Sequence, residues 1–206
     1  NTTEQMKRGQ TPYFSPERSE PESLEQPCGS NSPQRTLVMS VLIRRELPSN
    51  IAAIEAVTAA AFLNAAHTSH TEQFIVNALC NSGQLSVSLV AEDNGEIVGH
   101  VAVSPLSISS GTDGWYGLGP ISVVPTRQGH RIGAQLMEQA LEELRGRGAA
   151  GCVLLGDPHY HCRFGFKAEP ALILPGMPQE YFQAIRFHGP LPSGTVSYHE
   201  SFNAQG

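Results

Sequence analysis

Positive charge is scarce in this sequence, and the little that is present does not cluster. The 206 residues include 13 Lys and Arg against 19 Asp and Glu, which gives a formal net charge of −6. A protein that grips a nucleic acid backbone needs a basic stripe or patch, and none can be assembled from these scattered residues. The composition therefore argues against a nucleic-acid-binding protein.

Long apolar runs and paired cysteines are missing as well. The longest apolar run, 51–63, is interrupted by Glu55 and falls short of the roughly 20 residues that span a membrane. The first residues lack the charged and apolar regions of a secretory signal. The cysteines are widely spaced, with no C-x-x-C pair, which argues against a disulfide framework or a zinc site. We therefore expect a soluble, cytoplasmic protein with no membrane contact and no bound metal.

The length of the chain suits one sizeable core but is too short for two ordinary domains. Residues 1–38 mix Pro, Ser, Glu, Gln and Arg and follow neither the period of a helix nor that of a strand. We predict a disordered tail there, which is either an interaction tail or an extension ahead of a start at Met39. The remaining residues, 41–206, form the predicted single domain.

From Val41 onward the apolar positions alternate between strand and helix spacing, which predicts an α/β protein. Asp93-Asn-Gly95 predicts a hairpin turn between two of the strands. Gly119-Pro120 interrupts a later strand, and this pair predicts a bulge at which pairing to a neighbouring strand lapses. The predicted strands cover 41–45, 85–92, 97–103, 115–124, 152–155, 171–174 and 195–200, and the predicted helices cover 51–62, 71–83, 132–144 and 157–165.

The most strongly amphipathic helix follows a strand and a glycine-containing turn, Val123-Val-Pro-Thr-Arg-Gln-Gly-His-Arg-Ile-Gly133. Backbone N–H groups at such a helix start, aided by the helix dipole, form a cradle for an anion such as a phosphate. The spacing fits neither the dinucleotide-binding motif nor the Walker motif. It resembles instead the pyrophosphate loop of GNAT acetyltransferases, Gln/Arg-x-x-Gly-x-Gly/Ala, which Gln128, Ile132 and Gly133 match. Arg131 stands where that family has its first motif glycine.

A second motif, Leu154-Leu-Gly-Asp-Pro-His-Tyr-His-Cys-Arg-Phe-Gly-Phe166, predicts a strand, a short helix capped by Asp157, and a glycine stop. As a string it is similar to the YhbS-like branch of the GNAT superfamily. Leu118-Gly-Pro-Ile-Ser-Val and Tyr198-His-Glu-Ser-Phe202 resemble that branch too. Together these matches cover most of 41–202.

The resemblance implies an α/β protein with the GNAT acyl-CoA N-acyltransferase fold. In this fold a mixed sheet of six or seven strands is flanked by helices, and two strands splay apart to admit the pantetheine arm. It also implies an N-acetyltransferase with acetyl-CoA as cosubstrate. The acetyl group would pass to a primary amine of a small molecule or a protein by direct attack in a ternary complex. The residues that the resemblance assigns to acetyl-CoA are Ile121, Ser122, Val123, Gln128, Gly129, His130, Arg131, Ile132, Gly133 and Ala134.

GNAT enzymes commonly carry a tyrosine four residues before the Gly-Phe of the second motif, where it can protonate the departing thiolate. Here that position is His161, with Tyr160 immediately before it. An imidazole that titrates near neutrality suits a proton donor, so we predict this role for His161, or for Tyr160 in its place. The general base stays unassigned among His100, His159 and Glu200.

Other functions stay open at this point. A catalytically silent CoA-binding sensor or interaction module on the same fold would account for Arg131, His161 and the unassigned base. A scaffold whose tail recruits partners would not respond to CoA at all. The sequence is compatible with a homodimer and does not reveal the acceptor amine, although an acidic protein favours a cationic one.

Overall fold

The computed structural model describes residues 41–65, 68 and 70–205. The tail predicted at 1–38 lies outside these residues. Within them, the chain forms four α-helices and nine strands. In chain order these are β1 (Leu42–Arg45), α1 (Ile51–Phe62), α2 (Glu72–Asn81), β2 (Val87–Asp93), β3 (Glu96–Ile108), β4 (Trp115–Val123), α3 (Ile132–Gly146), β5 (Gly151–Leu155), α4 (Pro158–His161), β6 (Lys167–Ala168), β7 (Leu172–Ile173), β8 (Phe182–Arg186) and β9 (Gly194–Tyr198).

The strands form a mixed, open sheet, as predicted. Its main order is β1-β2-β3-β4-β5-β8-β6, while β9 pairs with the end of β3 and β7 pairs with β9. Neighbouring strands are antiparallel apart from two parallel pairs, β4 with β5 and β7 with β9. Seven of the nine strands contain four residues or more, which agrees with the predicted six or seven, and β6 and β7 contain two residues each.

Helices cover both faces of this sheet. Leu89 of β2 packs in the cluster that α3 covers, whereas its neighbour Val90 packs against Ile54 of α1 and Val76 of α2. This alternation follows from the pleat of a strand, which points successive side chains to opposite faces. The predicted apolar stripe of α3 is confirmed, because all of its members are buried: Ile132, Leu136, Met137, Ala140, Leu141 and Leu144.

The main departure from the predicted elements is β8, which lies in a segment that the sequence pattern assigns to a connection. Its first four residues are all buried, so they lack the alternation by which a half-exposed strand is recognised. It pairs with β5 along the whole of β5, from Gly151↔Arg186 to Leu155↔Phe182. One edge of β5 is thereby occupied, and its other edge faces β4.

Within the described ranges, no helix is both long enough and apolar enough to cross a membrane.

Cys80, Cys152 and Cys162 carry free thiols. Burial raises the pKa of the Cys152 thiol, which keeps it protonated and unsuited to act as a nucleophile.

Candidate active site

The central feature of the site is an opening between β4 and β5. Among the described residues these strands pair only from Trp115↔Gly151 to Gly117↔Val153. Beyond Gly117, β4 keeps its pairing with β3 as far as Val123, and β5 keeps its pairing with β8. The two strands therefore separate beyond a vertex at Gly117 and Val153, and the opening lies on the side of the residues that lead into α3 and α4.

A bulge in β4 lies next to this vertex. Val101 pairs with Ile121 and Val103 pairs with Leu118, so Gly119 and Pro120 together oppose one residue of β3. Two residues opposite one define a β-bulge, which bends the strand and increases its twist. The bulge predicted from Gly119-Pro120 is confirmed, and it lies where β4 leaves β5.

The predicted pyrophosphate loop leads from β4 into α3 through a 3-10 helix at Pro125–Arg127 and a turn. Arg131 caps α3 in the left-handed region, with a φ of 61°. This conformation costs a residue other than glycine about 1–2 kcal/mol, which explains why the GNAT motif carries glycine here. The Arg131 side chain is exposed and makes no ion pair within the described part of the chain.

Three side-chain contacts brace this loop. Arg127 is ion-paired with Asp93, which is buried on the β2–β3 hairpin. The Gln128 amide donates from Nε2 to the Val123 carbonyl at 3.1 Å, and His130 Nδ1 lies 3.0 Å from the Gln128 carbonyl. The side chains of Gln128 and His130 thus hold the loop itself. What they leave for an anion is the N-terminus of α3 and the exposed guanidinium of Arg131.

Gly99 of β3, which the sequence analysis does not single out, sets how closely α3 approaches the sheet. A Cβ atom at this position would lie 3.0 Å from Leu136 Cδ1 and 3.2 Å from Ile132 Cγ2. Such contacts are too tight for an ordinary side chain, so the absence of one lets the first turn of α3 lie directly on β3. The N-terminus of α3 is thereby placed at the open end of the opening between β4 and β5.

The other predicted cofactor residues divide between the core and the cleft edge. Ile121 and Val123 pack in the cluster under α3, and the Ser122 hydroxyl lies 3.3 Å from Thr58 Oγ1 of α1 on the other face. Ile132, Gly133 and Ala134 are buried in the first turn of α3, and Gly129 has a φ of 79° in the preceding turn. Most of the side chains at these positions are therefore taken up by packing.

The α4 segment follows β5 and lies on the β5 side of the opening. Asp157 is its N-cap, because Oδ1 accepts a hydrogen bond from the His159 N–H at 2.9 Å. This confirms the structural role predicted for Asp157. His159, one of the candidate bases, is exposed, and so is Glu200.

His161 differs from the prediction in its ionisation. The ring is buried, and Nδ1–H donates to the Asp157 carbonyl at 2.8 Å. Burial lowers the pKa of His161 to about 4, although the hydrogen bond to Asp157 opposes part of this change. The premise that His161 titrates near neutrality is therefore wrong, because a protein interior disfavours the charged imidazolium. His161 is neutral at pH 7.

Tyr160 lies inside the core rather than on the surface of the cleft. The residue is 4% exposed, with the Arg163 guanidinium 4.2 Å from the ring centroid and the Phe164 ring centroid at 5.6 Å. These contacts give the aromatic ring a packing role. Whether it also acts on a substrate stays a prediction.

His100, another candidate base, is enclosed on the α1 face of the sheet. Ser88 Oγ accepts from His100 Nε2 at 2.8 Å and donates to Glu46 Oε2 at 2.6 Å. Burial lowers the pKa of His100 to about 3, so this imidazole is also neutral at pH 7. The residue is fully buried.

A mixed sheet whose central parallel strands diverge toward the N-terminus of a helix, behind a glycine-containing turn, defines the class of acyl-CoA N-acyltransferase folds. The family model described as the Acetyltransferase (GNAT) family matches residues 51–166. The chain therefore belongs to the GNAT family of acetyltransferases.

Relatives of known sequence or structure agree with this assignment. The uncharacterized N-acetyltransferase YhbS of Escherichia coli strain K12 is 33% identical over 171 residues, covering 79% of this chain and 99% of YhbS. A GNAT-family acetyltransferase from Brucella melitensis, solved in complex with acetyl-CoA, is 46% identical with a TM-score of 0.72, covering 80% of this chain and 99% of that one. Escherichia coli YhbS, solved in complex with CoA, is 33% identical with a TM-score of 0.73, covering 86% of this chain and 98% of that one. The resemblance to the YhbS-like branch is confirmed.

Proposed function

We propose that this protein is an acetyl-CoA-dependent N-acetyltransferase that transfers an acetyl group to a primary amine of a small molecule or a protein. The observation that carries the proposal is the opening between β4 and β5, which runs from the vertex at Gly117 to the N-terminus of α3. The complexes of the two solved relatives with acetyl-CoA and with CoA support it.

The residues around this opening fit acetyl-CoA. The N-terminus of α3 would bind the pyrophosphate through backbone N–H groups and the helix dipole, and Arg131 would add a cation. The edge of β4 at 121–123 has no strand partner on the β5 side among the described residues, and would bind the pantetheine amides. From Gly117 to Val123 the strand rises about 3.3 Å per residue, or roughly 20 Å, which suits an extended pantetheine arm. Bound there, acetyl-CoA would supply an activated acyl group.

The proposed reaction is direct transfer in a ternary complex. The lone pair of the amine attacks the thioester carbon, a C–N bond forms, and the C–S bond breaks with its electron pair on sulfur. Holding the two reactants together would supply much of the acceleration. Backbone N–H groups at the edge of β4 would stabilise the charge that develops on the carbonyl oxygen. The base that removes the proton of the amine stays unassigned.

The two α4 residues keep a place in this proposal, with altered roles. A neutral His161 has no imidazolium proton to give at pH 7, and its Nδ1–H is directed at the Asp157 carbonyl. We assign to His161 the positioning of α4 beside the opening. Tyr160 would support that position from the core, since its ring contacts the His161 ring edge to face at 5.1 Å.

A second candidate function is a catalytically silent CoA-binding sensor or interaction module on the same fold. The neutral state of His161 favours it, because this side chain stands where GNAT enzymes commonly have a proton-donating tyrosine. Turnover distinguishes the two functions, since both require CoA binding.

Thermal unfolding with acetyl-CoA, CoA or NADH is the first test of the proposal. A ligand that binds only the folded protein stabilises it by roughly 2.7 kcal/mol at about a hundred times its dissociation constant. We expect acetyl-CoA and CoA to raise the unfolding temperature and NADH to leave it unchanged. A screen of amines, with release of the CoA thiol as the readout, then identifies the acceptor. Stabilisation by CoA without turnover would favour the sensor, and stabilisation by NADH alone would overturn both functions.

A further inference from the structure

Tyr198, at the end of β9, lies over the vertex of the opening. β9 is hydrogen-bonded to β3 rather than to β4, with Tyr198 opposite Leu106, so the ring reaches across β3. A Cβ atom at Gly117 would lie 2.9 Å from Tyr198 Cδ1 and 3.3 Å from Cζ, and would overlap Cε1. The ring therefore occupies space that is available only because residue 117 is glycine.

The place of this ring matters because Gly117 is the last residue of β4 that pairs with β5. An elongated cosubstrate whose phosphates are bound at the N-terminus of α3 would extend its other end toward this vertex. The hydroxyl of Tyr198 is attached to Cζ and so lies close to Gly117. The acyl end of acetyl-CoA and the Tyr198 hydroxyl would thus meet at the closed end of the cleft.

Packing fixes the ring, whereas its hydroxyl is not engaged. Phe202 packs against the Tyr198 ring with centroids 4.6 Å apart, and Ser104, the β3 partner of Gly117, is buried in the strand that the ring crosses. Within the described part of the chain, the Tyr198 hydroxyl makes no hydrogen bond to another residue. A fixed aromatic ring with an available hydroxyl is suited to hydrogen-bond a ligand.

Acetyl transfer from a thioester is assisted by a hydrogen-bond donor such as this hydroxyl. Cleavage of the C–S bond puts negative charge on sulfur, and a hydrogen-bond donor directed at that atom lowers the barrier. Burial raises the pKa of Tyr198, so its hydroxyl keeps its proton through the neutral range. It is therefore a donor that stabilises the thiolate without transferring the proton. The nitrogen of the amine loses one proton to solvent as the amide forms, and the thiolate of CoA takes up one proton from solvent, so the reaction balances.

We propose that the Tyr198 hydroxyl donates a hydrogen bond to the sulfur of the leaving CoA. The sequence motifs predict a residue of α4 for this role instead. The inference rests on the proposed acetyl transfer. It makes Tyr198 a catalytic residue and makes Gly117 the residue that allows its placement.

Tyr198→Phe is the direct test, because it removes only the hydroxyl. We expect kcat to fall about 10²-fold with little change in the KM for acetyl-CoA. Tyr116→Phe is the matched control, since Tyr116 adjoins Gly117 on the same strand but packs in the cluster under α3. It should keep the wild-type kcat. Equal kcat for wild type and Tyr198→Phe, with chemistry limiting, would overturn the inference.

A binding measurement tests the same contact without turnover. At pH 9 much of the thiol of CoA is ionised, and desulfo-CoA, which lacks the sulfur, provides the reference. By calorimetry, wild type should bind CoA about tenfold more tightly than desulfo-CoA, and Tyr198→Phe should lose this preference while binding desulfo-CoA as wild type does. A preference that survives in Tyr198→Phe would overturn the inference. Failure of wild type to bind either ligand would instead overturn the proposed function.

Discussion

Arg127, in the connection that leads from β4 into α3, is ion-paired with Asp93 on the β2–β3 hairpin. The Asp93 side chain is 6% exposed and that of Arg127 34%. The contact ties the loop ahead of α3 to the β2–β3 hairpin, and a loop held in place binds a ligand without first being ordered.

Asp93→Asn should therefore weaken both the fold and the binding of acetyl-CoA. Removing one partner of a charged, largely buried hydrogen bond costs about 1–3 kcal/mol, which should lower the melting temperature by several degrees. Calorimetry should show a dissociation constant for acetyl-CoA that is several-fold higher. Arg45→Gln is the control, because the Arg45–Glu143 pair is on the surface, with the Arg45 side chain 64% exposed. Unchanged affinity in a destabilised Asp93→Asn protein would show that the pair does not position the loop.

Arg131→Gly should have opposite effects on stability and on binding. Glycine adopts the left-handed conformation of this cap without strain, so the free energy of unfolding should rise by about 1 kcal/mol. The same change removes a cation proposed to contact a phosphate, a contact worth about 1.5–3 kcal/mol, so acetyl-CoA should bind tenfold or more weakly. Arg131→Lys, which keeps the charge, should bind better than the Gly variant. Tighter binding by Arg131→Gly would show instead that the arginine crowds the loop.

The two buried histidines should make the fold sensitive to acid. The pKa values of His100 and His161 fall from 6.5 to about 3 and about 4 on folding. Below pH 6.5 the unfolded chain takes up protons that the folded protein does not, so stability is lost as the pH falls from about 6.5 toward 4. Denaturant unfolding at pH 7, 6 and 5 measures this loss. His100→Gln should make the free energy of unfolding fall less steeply between pH 7 and pH 5. If His100→Gln leaves this pH dependence of the unfolding free energy unchanged, the lowered pKa of His100 is not its cause.

His161→Phe should cost less activity than Tyr198→Phe. In the proposed role, a neutral His161 positions α4 through its hydrogen bond to the Asp157 carbonyl, so we expect kcat to fall by less than about tenfold. Between pH 6 and 8 the pH–rate profile should keep its shape, because His161 does not change charge in that range. A fall of 10²-fold, with loss of a limb of the profile and rescue by His161→Tyr, would return the proton-donor role to this position.

The features that the sequence predicted correctly are mostly local. The stripe of α3, the cap at Asp157 and the bulge at Gly119-Pro120 depend on residues that are neighbours along the chain, and each is present in the structure. Strand β8 was missed, because burial on both faces removes the alternation that indicates a strand. The loop motif predicts an anion cradle, but it did not show that Gln128 and His130 would brace the loop.

The sequence by itself determined most of the elements and their order, the turn that leads into α3, and the family, since these follow from spacing and residue type. Only the tertiary structure decided which groups are charged and which of them meet. The ionisation of His161 depends on the dielectric around its ring, and distant segments build those surroundings. Tyr198 reaches Gly117 only because β9 joins the end of β3, a pairing between segments far apart in the chain. Contacts of this kind depend on how the elements pack, and no local pattern records them.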